Sequence, residues 1–584
     1  MSNYRNFELA TYFVAAGTCR ATEEQLERDI AFFEKHLRLD KVYLEPFRDG
    51  HYASEEQVML CKRVFERHGI KVSGGITTAM PTPAGDKPKQ RIFNTMCYND
   101  PKMLAQLAEV SEFNGRHFDE WIIDDFYFTN CTCEACRAGR DRYNQEHGTT
   151  GWEHYRRQLM IDVSKKYMIA PSKRVNPDCK IIIKYPNWME SYQETGYTPM
   201  GQKDLFDAIY TGTETRDPVH TDQHLPRYLS YSLMRYMESA APGRNGGGWF
   251  DPFDCRLLDY YLEQAYLTAF SRPKELMMFC FQALADSVNI PALGFMLDKL
   301  DALMDHMGQV KGIPCYIPEA SQGEDNVQDF LGMHGFPIVT TPFFPEEAET
   351  MLLTASSACD PDIIARVEPW IAKGGHALVT GGFVRATLGR GIENLTSLRD
   401  GGRRATASRF SAERLGSTQG LYGWAYADSR KEISIPVLEF RNNATWGALC
   451  KAICYEESYT LLARDTYGDG QLTLLNLPDV FSDIAALPVP VLSRMRRECR
   501  VNGVYLEAEP MISIFHYDND SFVLYQYADR ETIDTEVRVH ALNAVSLTDV
   551  LTGRELKPLY TDGPEAVFSV PVRVGRLAGF HINR

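Results

Sequence analysis

Short apolar runs alternating with amphipathic stretches set the pattern of the first 300 residues. Residues 7–16 are apolar enough for a buried strand. Residues 23–36 repeat their apolar positions at helical spacing, and 41–45 (Lys-Val-Tyr-Leu-Glu) return to a strand. The same alternation predicts helices at 54–68 and 100–113. It predicts further strands at 71–76, 121–125, 180–185, 206–210, 248–251 and 275–281, the 206–210 strand running on into Thr211-Gly212-Thr213-Glu214. Eight strands at this repeat length predict an α/β fold, a (β/α)8 barrel over residues 1–310.

From Gly312 the rhythm changes. Strands are predicted at 314–318, 335–340, 376–380 and 471–476. A helix at 361–373 is stopped by Gly374-Gly375. This is a βαβ pattern with a parallel sheet, and it places an α/β domain over 311–500. Within it, 385–418 is polar and rich in Arg and Gly and reads as a loop excursion. After residue 501 the runs become short and alternating, at 511–515, 521–527, 535–540 and 566–570. They predict a small antiparallel β-domain over 501–584.

Composition narrows the function classes. With 62 basic against 78 acidic side chains the chain carries a formal charge of −16, which argues against nucleic acid as a partner. No run of 18 apolar residues predicts a membrane span. The start, MSNYRNFELATYF, lacks the build of a signal peptide. The 14 cysteines include isolated ones in apolar segments, such as Cys179, Cys280 and Cys315. They fit free thiols in a reducing, cytoplasmic setting better than a disulfide framework.

The stretch from Trp121 to Cys136, WIIDDFYFTNCTCEAC, concentrates candidate chemistry. Its strand ends in Asp124 and Asp125, at the end of a barrel strand where α/β barrels keep their catalytic groups. Neighbouring strand residues point to opposite faces, so Asp125 is expected to face the pocket and Asp124 to be structural. Cys131, Cys133 and Cys136 form C-x-C-x-x-C, three thiolates of a four-ligand zinc site, and Cys97 on the preceding loop supplies a fourth. The expected cofactor is one structural zinc, with no organic cofactor.

Residues 93–101 (FNTMCYNDP), the acidic strand end and the C-x-C-x-x-C that follows resemble the β-galactosidases of glycoside hydrolase family 42. Leu474-Leu475-Asn476-Leu477-Pro478-Asp479 and Gly374-Gly375 resemble parts of that family's middle domain. The resemblance implies a catalytic barrel, a glutamine-amidotransferase-like trimerisation domain and a small C-terminal β-domain, hence a carbohydrate substrate and a homotrimer. It departs at the catalytic motif. Family 42 ends this strand with Asp-Asn-Glu, the glutamate being the acid/base, and the matching residues are Asp124, Asp125 and Phe126. The acid must therefore be relocated.

Glycosidic hydrolysis uses two carboxylates, one to protonate the leaving oxygen and one to attack or to activate water. The strand ends offer Glu45, Asp124, Asp125, Glu214, Asp251 and Asp254. Asp125 is the expected acid/base. Glu214 is the expected nucleophile or water-activating base, held ionised by Arg216. Asp251, at the strand end where family 42 keeps its nucleophile, is the rival. Glu45, Arg48, Asp124, Tyr185, Trp188, Arg216, Trp249 and Asp254 are the candidate sugar contacts, with Trp188 and Trp249 expected to be the most exposed aromatics. Loop histidines His51, His220 and His224 are further candidates to bind hydroxyls. Two alternatives remain. One is a phosphorylase of the same architecture, for which Arg48, Lys184 and Arg216 would hold phosphate. The other is a non-catalytic sugar-binding protein.

Overall fold

The computed structural model describes residues 3–81, 87–414, 423–443, 447–529 and 532–584. They form two compact units, one of Met1–Leu225 with Met237–Asp301, the other of Pro226–Tyr236 with Ala302–Arg584.

The first unit is a closed barrel of eight parallel strands: β1 (Glu8–Phe13), β2 (Lys41–Arg48), β3 (Lys71–Ile76), β4 (Glu120–Ile123), β5 (Lys180–Tyr185), β6 (Ala208–Gly212), β7 (Asn245–Phe250) and β8 (Glu275–Phe279). Closure is explicit in the register, since Ala10 of β1 pairs with Lys41 of β2 and with Met277 of β8. The strands read as near-continuous apolar runs because helices cover their outer face. β5 is buried at every position after Lys180. Helix starts follow their caps. The Thr22 and Ser54 side chains accept from the Gln25 and Gln57 amides at 3.3 and 3.2 Å. Asp100 accepts from the Lys102 amide just ahead of Pro101, so the helix Pro101–His117 begins there.

Side chains that point inward recur every second residue and stack in layers. At the bottom, Lys41 donates to Glu120 (2.9 Å) and to Glu275, and Tyr43 also donates to Glu275 (2.9 Å). The middle is an apolar layer of Ala10, Tyr12, Tyr43, Ile122, Ile182, Tyr210, Trp249 and Met277. Gly75 makes room for it. A Cβ there would lie 2.6 Å from the Tyr12 hydroxyl. The inward positions one step further up are Glu45, Thr77, Asp124, Lys184 and Asp251, and they begin the site.

The second unit contains a nine-stranded mixed sheet. Its parallel part comprises β9 (Ile313–Tyr316), β10 (Ile338–Thr341), β11 (Thr350–Leu353), β12 (His376–Thr380) and β17 (Gly470–Leu475), in the order β10-β9-β11-β12-β17. The helix Ile363–Ala372 precedes β12 and stops where Gly374 takes φ +110°. The sheet continues antiparallel through β16 (Glu457–Tyr467), β15 (Gly447–Cys454), β13 (Leu398–Glu413) and β14 (Trp424–Phe440). The loop expected at 385–418 thus contains the strand β13 over about half of its length. β13 and β14 form a long antiparallel ribbon, half exposed along its length, so β13 lacks the apolar alternation that marks a strand in the sequence. Residues 415–418 of that expectation lie outside the described residues. Six- and four-stranded antiparallel sheets follow, and share a core that includes Ile514, Leu524, Val539, Phe568 and Ile582. All 14 cysteines are free. Among the described residues no helix is long and apolar enough to cross a membrane.

Candidate active site

A cavity of about 150 Å³ opens at the C-terminal ends of the barrel strands. β2 contributes Arg48, the β4 end Asp124, Asp125 and Phe126, and the β5 end Lys184, Asn187 and Trp188. The β6 end brings Glu214 and Arg216, β7 Trp249 and Asp251, and β8 Phe279. Phe93 and Gln223 complete the wall.

Lys184 is the centre of the charge network. Its Nζ donates to Asp125 Oδ2 at 2.5 Å and to Glu214 Oε1 at 3.3 Å, lies 3.7 Å from Asp124 Oδ1, and sits 4.2 Å from the centroid of the Trp249 ring. A second cluster lies beside it. Arg48 Nη1 donates to Asp124 Oδ2 at 2.7 Å and lies 3.4 Å from Glu45 Oε1, and the Thr77 hydroxyl is within 2.5 Å of Glu45 and 3.1 Å of Asp124. Glu45 itself is fully buried under the cavity and accepts from Tyr12 Oη (2.8 Å) and the Ala15 amide (2.9 Å). The third pair is Arg216 with Asp251, a two-pronged contact at 2.6 and 2.9 Å.

Five carboxylates therefore share a largely dry space with three cations. Burial pushes the Asp125 carboxyl well above the usual carboxylate range, and the negative Asp124 and Glu214 add to this against the opposing Lys184. Burial works against ionised Asp124 too, but Arg48 and Lys184 outweigh it and hold that group well below the usual range. Asp251 is raised by burial in spite of Arg216. Burial alone would lower the Lys184 pKa, yet Asp125, Glu214 and Asp124 raise it, so it stays charged.

Several expectations need correcting. Asp124 is not set apart from the pocket. It continues the inward series of Glu120 and Ile122, while Asp125, beyond the end of β4, turns over the rim, so both line the cavity. Arg216 pairs with Asp251 rather than Glu214. Trp249 is only 2% exposed, because it belongs to the apolar layer and meets the site with one face. Tyr185 lies on the outward series, buried near Tyr192 and Tyr197 with its hydroxyl on Gln202 (2.9 Å), and does not line the cavity. Asp254 is exposed with φ +58° and is not part of the wall. His51, His220 and His224 are exposed and lie outside the wall as well. Lys184, Thr77, Asn187 and Gln223 carry more of the site than their sequence context suggested. For Lys184 and Thr77 the strand parity was the available signal.

Five residues after Phe126 begins a second cluster. The Sγ atoms of Cys97, Cys131, Cys133 and Cys136 all lie within 4.8 Å of one another, and all four residues are buried. Cys97 is 3.7 Å from Cys133 and 3.6 Å from Cys136, and Cys133 is 3.6 Å from Cys136. Lys87 Nζ and Asn99 Nδ2 donate to the Cys133 and Cys136 sulfurs, both at 3.4 Å. The cluster can hold a metal ion.

The family described as "Probable glycosyl hydrolase, catalytic domain" matches residues 1–296, just over half of the chain. The chain belongs to this family. The C-terminal domain described for probable glycosyl hydrolases matches 503–573, and the second domain of an uncharacterised protein, SSO3021, matches 305–480. The full SSO3021 protein of Saccharolobus solfataricus is 26% identical over 393 residues, 62% of this chain and 64% of that relative. The match thus spans less than two thirds of the relative's length. Among solved structures, the β-galactosidase from Bacillus circulans sp. alkalophilus superposes with TM-score 0.62 at 12% identity over 99% of both chains. The family 42 β-galactosidase Gan42B gives 0.63 at 11% over 100% of both. The α-L-fucosidase isoenzyme 2 of Paenibacillus thiaminolyticus gives 0.62 at 12% over 99% of this chain and 100% of that one. At these identities the likeness is one of fold, and this family member has the family 42 architecture that its sequence resembles.

Proposed function

We propose that the chain hydrolyses a glycosidic bond, with Asp125 as acid/base and Glu214 as its partner. The observation that carries the assignment is the asymmetry of Glu214. One carboxylate oxygen accepts from Lys184, and the other, Oε2, is buried without a hydrogen-bond partner among the described residues. A buried carboxylate oxygen left unpaired is costly unless a ligand or reacting centre meets it. Asp251 is bound on both oxygens by Arg216 and receives the Phe253 amide at 3.1 Å, so it is the less available group.

In this reading Asp125 gives its proton to the glycosidic oxygen as the C–O bond breaks. Glu214 either bonds to the anomeric carbon or takes a proton from the attacking water. Water finally supplies the hydroxyl on the sugar; on the first route its proton restores Asp125, and on the second Glu214 releases that proton to solvent, from which Asp125 is reprotonated. Trp188, Asn187 and Gln223 are the sugar contacts, the Trp188 indole N–H being buried and unpartnered among the described residues. Phosphorolysis is disfavoured, because Arg48, Lys184 and Arg216 each already pair with a carboxylate and leave little positive charge for phosphate.

The test is a panel of 4-nitrophenyl glycosides, assayed with and without phosphate, on the wild type and on Asp125→Asn, Glu214→Gln and Asp251→Asn. Loss of either catalytic carboxylate is expected to cost at least ~100-fold in turnover. Asp125→Asn with most of its activity intact would overturn the assignment. A mild Glu214→Gln with a dead Asp251→Asn would transfer the second role to Asp251. Binding without turnover across the panel would favour a sugar-binding protein.

The four-cysteine cluster is assigned to structural zinc. A tetrahedron with Zn–S bonds of about 2.3 Å has edges of about 3.8 Å, close to the sulfur separations quoted above. With four protein ligands it would leave no position for a substrate, and its chemistry would be to fix the loop. The homotrimer implied by the family 42 resemblance is assigned to the α/β domain of residues 311–500.

A further inference from the structure

A second cavity, of about 380 Å³, lies beside the first on the β2 and β3 side of the barrel mouth. Arg48, Phe93 and Phe126 line both. These three residues form the partition. The Phe93 and Phe126 rings meet edge to face at 5.1 Å, and the Arg48 guanidinium lies 5.6 Å from the Phe126 centroid while held by Asp124. We propose that this cavity is the leaving-group subsite and that it takes one uncharged ring with an apolar face, either a second pyranose or an aryl aglycone.

Three observations carry the proposal, which rests on Asp125 being the acid. The first is position. Phe126 directly follows Asp125, so a glycosidic oxygen protonated by Asp125 has its departing group beside the partition. The second is size. Ligand sites run from roughly 300 to 1,000 Å³. The first cavity alone is too small for a whole glycoside, and the pair together falls within that range. The third is lining chemistry. Met80, Ile92, Phe93 and Phe126 give an apolar wall, while Asn94, Lys89 and Asp49 supply a polar edge of mixed charge. An apolar wall with a polar edge matches a ring whose face is C–H and whose rim is hydroxyl. Arg48, on the same lining, is held by Asp124 at 2.7 Å and faces Asp49 at 3.6 Å, and Lys89 is exposed, so the lining offers no buried uncommitted cation for an anion.

The experiment compares two substrates of one sugar, whichever the panel above identifies. The 4-nitrophenyl glycoside places a ring in the second cavity, and the glycosyl fluoride places none there. Ile92→Trp and Met80→Trp put bulk into this cavity alone. The expected result is a fall of about tenfold or more in the ratio of kcat/KM for the aryl glycoside over the fluoride, carried mainly by KM. Phe93→Ala, at a half-exposed position, should lower the same ratio without unfolding the protein, and the melting temperature checks this. A ratio unchanged in all three folded variants overturns the subsite. A wild type that cleaves neither substrate for any sugar overturns the hydrolase reading instead, so the two failures are distinguishable.

Discussion

Lys184 is the residue on which the site's protonation depends. Its charge works against the raised pKa of Asp125. Lys184→Met should push Asp125 higher still. Activity that needs protonated Asp125 is lost as pH rises through that pKa, so the alkaline limb of the pH–rate profile should move to higher pH in the variant. An unmoved limb would remove Lys184 from this role. Asp125 also has a cost in stability. A carboxyl whose folded pKa lies above its unfolded value destabilises the fold, by nothing at low pH and fully above the folded pKa. Asp125→Asn should therefore raise the melting temperature at pH 7 while abolishing turnover, and a calorimetric scan of both proteins checks the sign.

At the level of elements, the site was partly legible because strands impose a period of two. Counting alternate residues from Glu120 gives Ile122 and Asp124, and from Ile182 gives Lys184, both inward. The sequence named the right strand ends, but it judged Asp124 and Asp125 as if the strand ran through both. β4 stops at Ile123; Asp124 still keeps the alternation, and Asp125 no longer does. Pairings such as Arg216 with Asp251 join different strand ends and leave no trace in local spacing. The strand β13 was hidden for another reason, since its buried positions Ala405, Ala407 and Ala412 are alanines set among arginines, glycines and serines and make only a weak apolar stripe. The cysteine cluster, in contrast, was readable, three members from their C-x-C-x-x-C spacing and Cys97 from its place on the preceding barrel loop. Its C-x-C-x-x-C loop leads directly out of the β4 end, so metal analysis of purified protein should find about one zinc per chain. Cys133→Ser should lower the melting temperature before it alters kcat. Zinc below a tenth of the chain concentration, in protein made without chelator, would refute the assignment.

For the whole molecule, the two units differ in their buried histidines. In the second unit, burial pushes His334 and His516 down to about 3 and His376 down to about 4. Both ring nitrogens of His516 lack a hydrogen-bond partner among the described residues. Each such group stabilises the fold above its unfolded pKa, about 6.5, and that contribution is lost as pH falls from there toward the folded value. His516→Phe should make the pH dependence of stability between pH 6 and 4 shallower by one proton, about 1.4 kcal/mol per pH unit. Light scattering at micromolar concentration should give a particle of about three times 66.4 kDa, and a monomer would count against the trimer. The surplus of carboxylates over cations in the barrel mouth has a consequence for inhibitor chemistry. A sugar mimic with a basic ring nitrogen would bring into the cavity the positive charge that its side chains lack. Such an amine should bind more tightly than its neutral counterpart. The margin should widen as pH rises and Asp125 gives up its proton, until the inhibitor itself loses its charge.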